Sequence, residues 1–386
     1  MISRQILSKI LSLKEKFPII AVTGPRQSGK TTLLKAAFPD YTYVSLEDPD
    51  VRDFALNDPK GFLKIYKEKV IFDEVQRTPL LFSYLQTIVD ETRQMGQFIL
   101  SGSQNFQLLR NITQSLAGRV ALFKLLPFDF SELSTENLLS SNYTEAAFKG
   151  FYPALFDRNI SSSDFYLNYL ETYVERDITE LIQLRETQQF RLFLGLCASR
   201  VGQLINLSSL ANECNISQPT AKSWLAILES SYIVFQLQPY FKNFGKRIVK
   251  STKIYFYDTG LLCYLLSIID SESLMLNSLK GNIFENLVIA EMKKQNNHQY
   301  LHHDFYFWRD SNGREVDLVI PGATGMNIYE IKASETIISK QLKGLNYFQE
   351  MAKESVLSKT VIYGGNESQQ RSDFNVTAWQ EISLPQ

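Results

Sequence analysis

The sequence reads as an α/β protein in three parts, and three observations carry that reading. Short β-type runs alternate with amphipathic stretches from Phe17 to Leu126, a largely helical stretch runs from Glu145 to Leu266, and strand-and-helix order returns beyond Leu279. Boundaries are accordingly expected at 1–144, 145–266 and 267–386. A chain of 386 residues suits two or three domains. Apolar residues make up 44% and aromatics 12%, enough to fill several cores and too many for a disordered chain.

In the first part, Ile19–Thr23, Tyr41–Leu46, Val70–Phe72, Phe98–Leu100 and Val120–Leu126 read as strands, with helical segments such as Leu80–Arg93 between them. Strands separated by helices build a mostly parallel sheet covered on both faces. Directly after the first strand comes Gly24-Pro25-Arg26-Gln27-Ser28-Gly29-Lys30-Thr31, which fits G-x-x-x-x-G-K-[ST] at every position, with Thr32 and a helix-forming segment following. Such a loop closes backbone N–H groups around phosphates, its lysine reaches the β- and γ-phosphates, and its hydroxyl binds Mg²⁺. ATP and Mg²⁺ are therefore the expected cofactors, with Lys30 acting on the phosphates and Thr31 on the metal.

Val70–Glu74 is an apolar run ending in two acids. Asp73 is expected to hold the Mg²⁺ through water, and Glu74 to orient and deprotonate the attacking water. The run Phe98–Leu100 is expected beside it in the sheet, which would bring Ser103 or Gln104 to the γ-phosphate. Arg119 precedes the last strand, where it reads either as an arginine finger for a neighbouring copy in a homo-oligomer or as a surface arginine.

The second part contains two short helical segments around a turn at Asn215, with Ser208 or Ser209 expected to cap the first, Ser217 the second, and Pro219 in the first turn of the second. That is a helix-turn-helix pattern, and the strand-like Tyr232–Leu237 and Ile254–Tyr257 would complete a winged variant. The chain carries 40 basic and 41 acidic residues for a net charge of −1, which excludes binding to nucleic acid through global charge. A DNA contact must be local. Lys222 on the second helix and Lys242, Lys246, Arg247, Lys250 and Lys253, interleaved with Tyr240, Phe241 and Phe244, offer phosphate contacts plus stacking. A docking surface for protein is the competing use of the same elements.

In the third part, Glu315–Ile320 and Asn327–Ala333 read as a hairpin around Pro321–Gly325. Side chains alternate along a strand, so Glu330 and Lys332 share one face and the hairpin brings Asp317 beside them. Carboxylates hold a hard cation and a nearby lysine positions water, so Asp317, Glu330 and Lys332, with Glu285 from the preceding helix, are candidates for a Mg²⁺ site. A salt-bridged surface is the plainer reading. His298, His302 and His303 read as a solvated connection rather than a metal site. The three cysteines, Cys197, Cys214 and Cys263, have no paired spacing and read as buried thiols. No apolar run nears the roughly 18 residues of a membrane span, so a cytoplasmic protein without a membrane partner is expected.

Taken together, Gly24–Thr32, Phe72-Asp73-Glu74-Val75-Gln76, Leu100–Ser103, Leu116–Arg119 and Tyr173–Ile178 resemble a prokaryotic family, the AAA-type P-loop ATPases with a C-terminal restriction-endonuclease-like (PD-(D/E)XK-type) domain of unknown function. The resemblance spans nearly the whole chain. It implies an AAA+ fold, ATP hydrolysis, a winged helix after the ATPase core and association with DNA, and it identifies no substrate. The C-terminal pattern departs from the better-known form in having Val316 where proline usually precedes the aspartate. Three functions remain distinguishable: an ATPase that couples turnover to DNA binding or remodelling, an ATP-gated Mg²⁺-dependent DNA nuclease, and a nucleotide-controlled protein-interaction switch.

Overall fold

The structure is a computed structural model that describes residues 2–103, 115–158, 160–174, 187–240 and 251–385. The chain divides into two compact units, one made of Met1–Phe128 with Ser230–Tyr232 and Asn297–Tyr300, the other of the remaining residues. Among the described residues no helix is long and apolar enough to cross a membrane.

The first unit is built on five strands, β1 (Ile19–Thr23), β2 (Thr42–Ser45), β3 (Val70–Asp73), β4 (Phe98–Gly102) and β5 (Val120–Lys124). They lie in the order β2-β3-β4-β1-β5, and every pairing is parallel. Helices α1 (Ile6–Lys14), α2 (Lys30–Ala37), α3 (Pro49–Asn57), α4 (Pro59–Ile65) and α5 (Leu80–Thr92) cover the sheet. Because a strand's side chains alternate and both faces are covered, β1 is buried at every position and apolar from Ile19 to Val22. Ile19 and Ala21 pack with Phe72, Phe98, Phe62 and Leu85 on one face, while Ile20 and Val22 pack with Ile71, Ile99, Leu33, Leu34 and Ile10 on the other. Each of these fully buried large side chains contributes on the order of 1.5–3 kcal/mol. α3 starts where the Asp48 carboxylate accepts from the N–H groups of Asp50 and Val51, with Pro49 in the first turn.

The second unit opens with short helices between Phe130 and Tyr169. These are followed by α6 (Thr187–Ser199), α7 (Leu207–Glu213) and α8 (Gln218–Ser230). Asn206, and neither Ser208 nor Ser209, caps α7 by accepting from both of their N–H groups. It stands immediately before the helix, the position from which a side-chain oxygen reaches the second and third N–H groups. Ser217 accepts from the Thr220 N–H at the start of α8, and Asn215 makes the turn with φ 54°. Trp224 of α8 is buried against Phe190 and Phe193, ring centroids 5.3 and 5.6 Å away.

Strands β6 (Val234–Pro239) and β7 (Lys253–Phe256) pair antiparallel and then join a larger sheet. Its other members are β8 (Tyr306–Arg309), β9 (Glu315–Pro321), β10 (Met326–Lys332), β11 (Val356–Tyr363), β12 (Gln369–Gln370) and β13 (Asn375–Ala378). The order is β12-β13-β11-β10-β9-β8-β6-β7, with β6 parallel to β8 through Gln238↔Tyr306 and Pro239↔Phe307. The long helix α9 (Lys280–His298) precedes β8 in sequence. Helix α10 (Lys343–Ala352) packs Leu345, Phe348 and Ala352 on Trp308, Val316, Val319 and Ile328. Its Gly344 lies so close to β9 that an added Cβ would sit 2.1 Å from the Glu315 carbonyl oxygen.

Candidate functional site

The phosphate loop spans the gap between β1 and α2. Gly24 has φ 148°, and a Cβ there would sit 2.1 Å from the Leu125 carbonyl oxygen, so both backbone conformation and space demand glycine. Lys30 opens α2 and is 6% exposed, its ammonium donating to the carbonyls of Gly24 at 2.9 Å and Pro25 at 2.8 Å. Burial holds this ammonium below its ordinary pKa, against the charges of Glu74 and Asp73, which favour the protonated form, and with that of Arg26, which opposes it.

Asp73 ends β3 and gathers four donors. The hydroxyls of Thr31 and Tyr43 donate to its Oδ2 at 2.8 and 2.7 Å. Ser101 and the Glu74 N–H donate to Oδ1 at 2.5 and 3.1 Å. The site thus joins α2, β2, β3 and β4 through one carboxylate. Burial, then the hydrogen bond to Asp73, drives the Tyr43 phenol far above its usual pKa, so Tyr43 stays a donor. Glu74 adopts φ 53° at the strand end, and its Oε2 accepts from Gln76 and, at 3.1 Å, from Ser103. β4 lies between β1 and β3, which is how Ser103 comes to face Glu74.

Arg4 was not singled out from sequence. It is 6% exposed and donates to the Ser28 carbonyl at 2.9 Å and the Leu126 carbonyl at 2.6 Å, while its guanidinium lies 4.7 Å from the centre of the Phe128 ring. An arginine ahead of an amphipathic helix gives no local signal that it folds under a loop more than 20 residues away. Ser28 itself is buried, and its hydroxyl has no partner among the described residues. Thr32 is exposed and Arg26 lies 3.9 Å from Glu47. The donor set fits the expected ligands: an ammonium and an unpartnered hydroxyl on the loop, and hard oxygen groups at Thr31 and Asp73. Arg119 is held by Asp90 on α5 through two hydrogen bonds of 2.5 and 2.8 Å. Gln104 lies outside the described residues, as do residues 175–178 of the Tyr173–Ile178 segment.

A second constellation forms on β9 and β10. Their antiparallel register, with Leu318 opposite Tyr329, sets Asp317 beside Glu330. The Lys332 ammonium reaches Glu330 Oε1 at 2.6 Å and Asp317 Oδ2 at 3.3 Å, and Asp317 also accepts from the Ile331 N–H at 2.7 Å. Burial and then the Asp317 charge push the Glu330 carboxyl up to about 8. Glu285, on α9, accepts from Tyr255 at 2.5 Å and from Lys253 at 2.9 Å. Burial raises its pKa, Lys253 opposes that shift, and the charge of Asp317 adds to it.

Lys253 corrects the sequence reading. Expected in a DNA-facing patch, it is 2% exposed and paired with Glu285 and Glu315. Burial alone would pull its pKa down, but Glu285, Tyr255, Glu315 and Asp317 drive it well above the ordinary value. As the first residue of β7 its side chain follows the sheet into the cluster rather than the loop before it. Lys222 is exposed on α8. Lys242, Lys246, Arg247, Lys250, Phe241 and Phe244 lie outside the described residues. Two of the histidines are a further correction: His298 is fully buried and its Nε2 accepts from the Leu126 N–H at 3.2 Å, and His303 contacts the Pro385 carbonyl at 2.8 Å, whereas His302 is exposed in the connection as expected. His298 is the last residue of the long helix α9.

An AAA domain family model matches residues 16–134, and two domains of unknown function, DUF8612 and DUF4143, match residues 140–272 and 280–382. An uncharacterized protein of Mycobacterium tuberculosis is 31% identical over 360 residues, covering 92% of this chain and 79% of that protein. An uncharacterized protein of Methanocaldococcus jannaschii is 26% identical over 297 residues, covering 63% of this chain and 61% of that one. Among solved structures, a Walker-type ATPase of Pyrococcus abyssi superposes with a TM-score of 0.47 at 15% identity, covering 69% of this chain and 96% of that chain.

Proposed function

Because this chain belongs to the same family as the mycobacterial protein, with an AAA-type P-loop ATPase domain at residues 16–134, we propose that it hydrolyses ATP at Lys30, Thr31, Asp73 and Glu74 and couples turnover to DNA. The observation that carries the first half is the 2.8 Å hydrogen bond from Thr31 to Asp73, which ties the phosphate loop to the strand bearing the two acids. In this reading the loop N–H groups and Lys30 hold the phosphates, and Ser103 lies beside the γ-phosphate. Thr31 and Asp73 would hold Mg²⁺, which supplies charge neutralisation at the transferred phosphoryl group. Glu74, held by Gln76 and Ser103, positions and deprotonates the attacking water.

DNA association is supported by the helix pair α7–α8 followed by an antiparallel strand pair, with Lys222 exposed on the second helix. With Lys253 removed from the basic patch, Lys222 is the one candidate DNA contact left among the described residues. The homo-oligomer expected from Arg119 requires its pair with Asp90 to open, so that the guanidinium can reach a neighbour's nucleotide. ATPase assays with and without single-stranded, duplex and branched DNA, with product gels on the same samples, test the proposal. Turnover should rise with DNA and fall at least about a hundredfold in Lys30→Ala, the scale of losing one charge-stabilising donor. Turnover indifferent to every DNA form would overturn the DNA half alone.

A second reading, an ATP-gated nuclease, is favoured by one observation: Asp317, Glu330 and Lys332 converge within hydrogen-bond distance. Carboxylates of Asp317 and Glu330 would hold the metal, and Lys332 would orient water. Mg²⁺-dependent cleavage on those gels, lost in both Asp317→Ala and Lys332→Ala, is the expected result; no cleavage of any DNA form excludes it.

A further inference from the structure

The carboxylates around β9 and β10 do not form one open bowl. They fall into two pairs, each bridged by an ammonium. At one end Lys332 spans Glu330 and Asp317 at 2.6 and 3.3 Å. At the other, Lys253 touches Glu285 at 2.9 Å and also Glu315, whose second oxygen is 3.0 Å from Arg309. Tyr255, two residues along β7 and on the same face, donates to the same oxygen of Glu285. Lys253 is 2% exposed, so this ammonium is a fixed part of the interior and not a side chain that happens to fold inward.

The two ends differ in one respect. Glu330 is 8% exposed, and its buried Oε2 has no hydrogen-bond partner among the described residues, whereas at the other end Glu285 Oε1 accepts from both Lys253 and Tyr255 and the two oxygens of Glu315 face Lys253 and Arg309. A buried carboxylate oxygen without a donor is costly unless a cation or proton meets it. The buried unserved oxygen therefore lies at Asp317–Glu330, whose lysine side chain is 33% exposed, while the lysine between Glu285 and Glu315 is fixed in the interior.

We propose that Lys253 is the resident cation of this site: its ammonium fills the Glu285–Glu315 end, so that one divalent ion is taken at Asp317 and Glu330, and a second is admitted only when the lysine is replaced by an uncharged side chain. The inference rests on reading Asp317, Glu330 and Lys332 as a metal site. Two divalent ions a few ångströms apart would repel far more strongly than an ion beside a lysine, and four carboxylates can compensate either arrangement. Sites of this donor type, all hard oxygens, suit Mg²⁺ or Mn²⁺.

Mn²⁺ bound per chain, counted by electron paramagnetic resonance without nucleotide and with Asp73→Asn present throughout to remove binding at the ATP site, tests it. The parent should bind one ion, lost on Asp317→Asn. Lys253→Met should bind two, and adding Glu285→Gln should return the count to one. If Lys253→Met does not fold, Lys253→Met/Glu315→Gln, which removes one charge of each sign, is compared with Glu315→Gln alone, and two ions against one are expected. A count that stays at one in the Lys253 variants overturns the inference and leaves the metal site standing. A parent that already binds two overturns it as well. Absence of any ion that depends on Asp317 overturns the metal reading, and the role of Lys253 falls with it.

Discussion

Arg4 is tied to the phosphate loop by hydrogen bonds from both ends of its guanidinium. Its guanidinium serves the carbonyls of Ser28 and Leu126 from a buried position. Arg4→Ala leaves both carbonyls without that donor and should lower stability by about 2–4 kcal/mol. Urea unfolding measures the loss, and ATP titration of the same variant should show weaker binding because the Ser28 peptide is no longer oriented. Arg4→Lys should recover only part of either, since one ammonium cannot reproduce the fork of two donors. A variant with unchanged unfolding would show that Arg4 holds nothing. At this scale the sequence is legible where function is written in consecutive residues: Gly24 to Thr31 and Asp73-Glu74 announce themselves. Tyr43 acts on Asp73 from another strand and carries no motif of its own, while Ser101 and Gln76 stand in recognisable motifs whose order in sequence does not disclose which acid each one serves. Lys253 misled because its neighbours in sequence are basic and aromatic, while its neighbours in space are acidic.

Gly344 shows what an element demands of a single position. α10 can lie on β9 only because residue 344 lacks a Cβ, which would come 2.1 Å from the Glu315 carbonyl oxygen. Glycine usually costs a helix about 1 kcal/mol relative to alanine, so Gly344→Ala would stabilise an isolated helix. Here the sign reverses: the substitution should destabilise by about 1–3 kcal/mol through the displaced helix. Denaturant unfolding decides between the two, and a more stable variant would mean that α10 has room to shift. The strands were legible because apolar runs bounded by polar residues admit few alternatives at this length. The parallel order of the first sheet follows from strands separated by helices. The helix caps were less so. Asn206, Ser208 and Ser209 are all good caps by type, and only the backbone decides which one stands just before the helix.

Nucleotide binding by the first of the two compact units should be visible in the unfolding of that unit. ATP with Mg²⁺ at a hundred times its dissociation constant adds about 2.7 kcal/mol to the state that binds it. Calorimetry should show one transition moving upward with ligand, no movement in Lys30→Ala, and an unaffected response in Asp317→Asn. Equal shifts in wild type and Lys30→Ala would place the nucleotide elsewhere. What the sequence did not disclose at this scale is the pairing of β6 with β8, because those strands are separated by some 70 residues and strand partners are set by edges, not by proximity in the chain. That pairing bears on how such a chain can be divided. A chain segment beginning at residue 267 would keep the pairing of β8 with β9 but lack β6, leaving a bare edge open to other chains. It would also carry Glu285 and Glu315 without the lysine that sits between them. A last third cut at that point is therefore expected to need the β6–β7 strand pair, both to close the edge of its sheet and to supply Lys253.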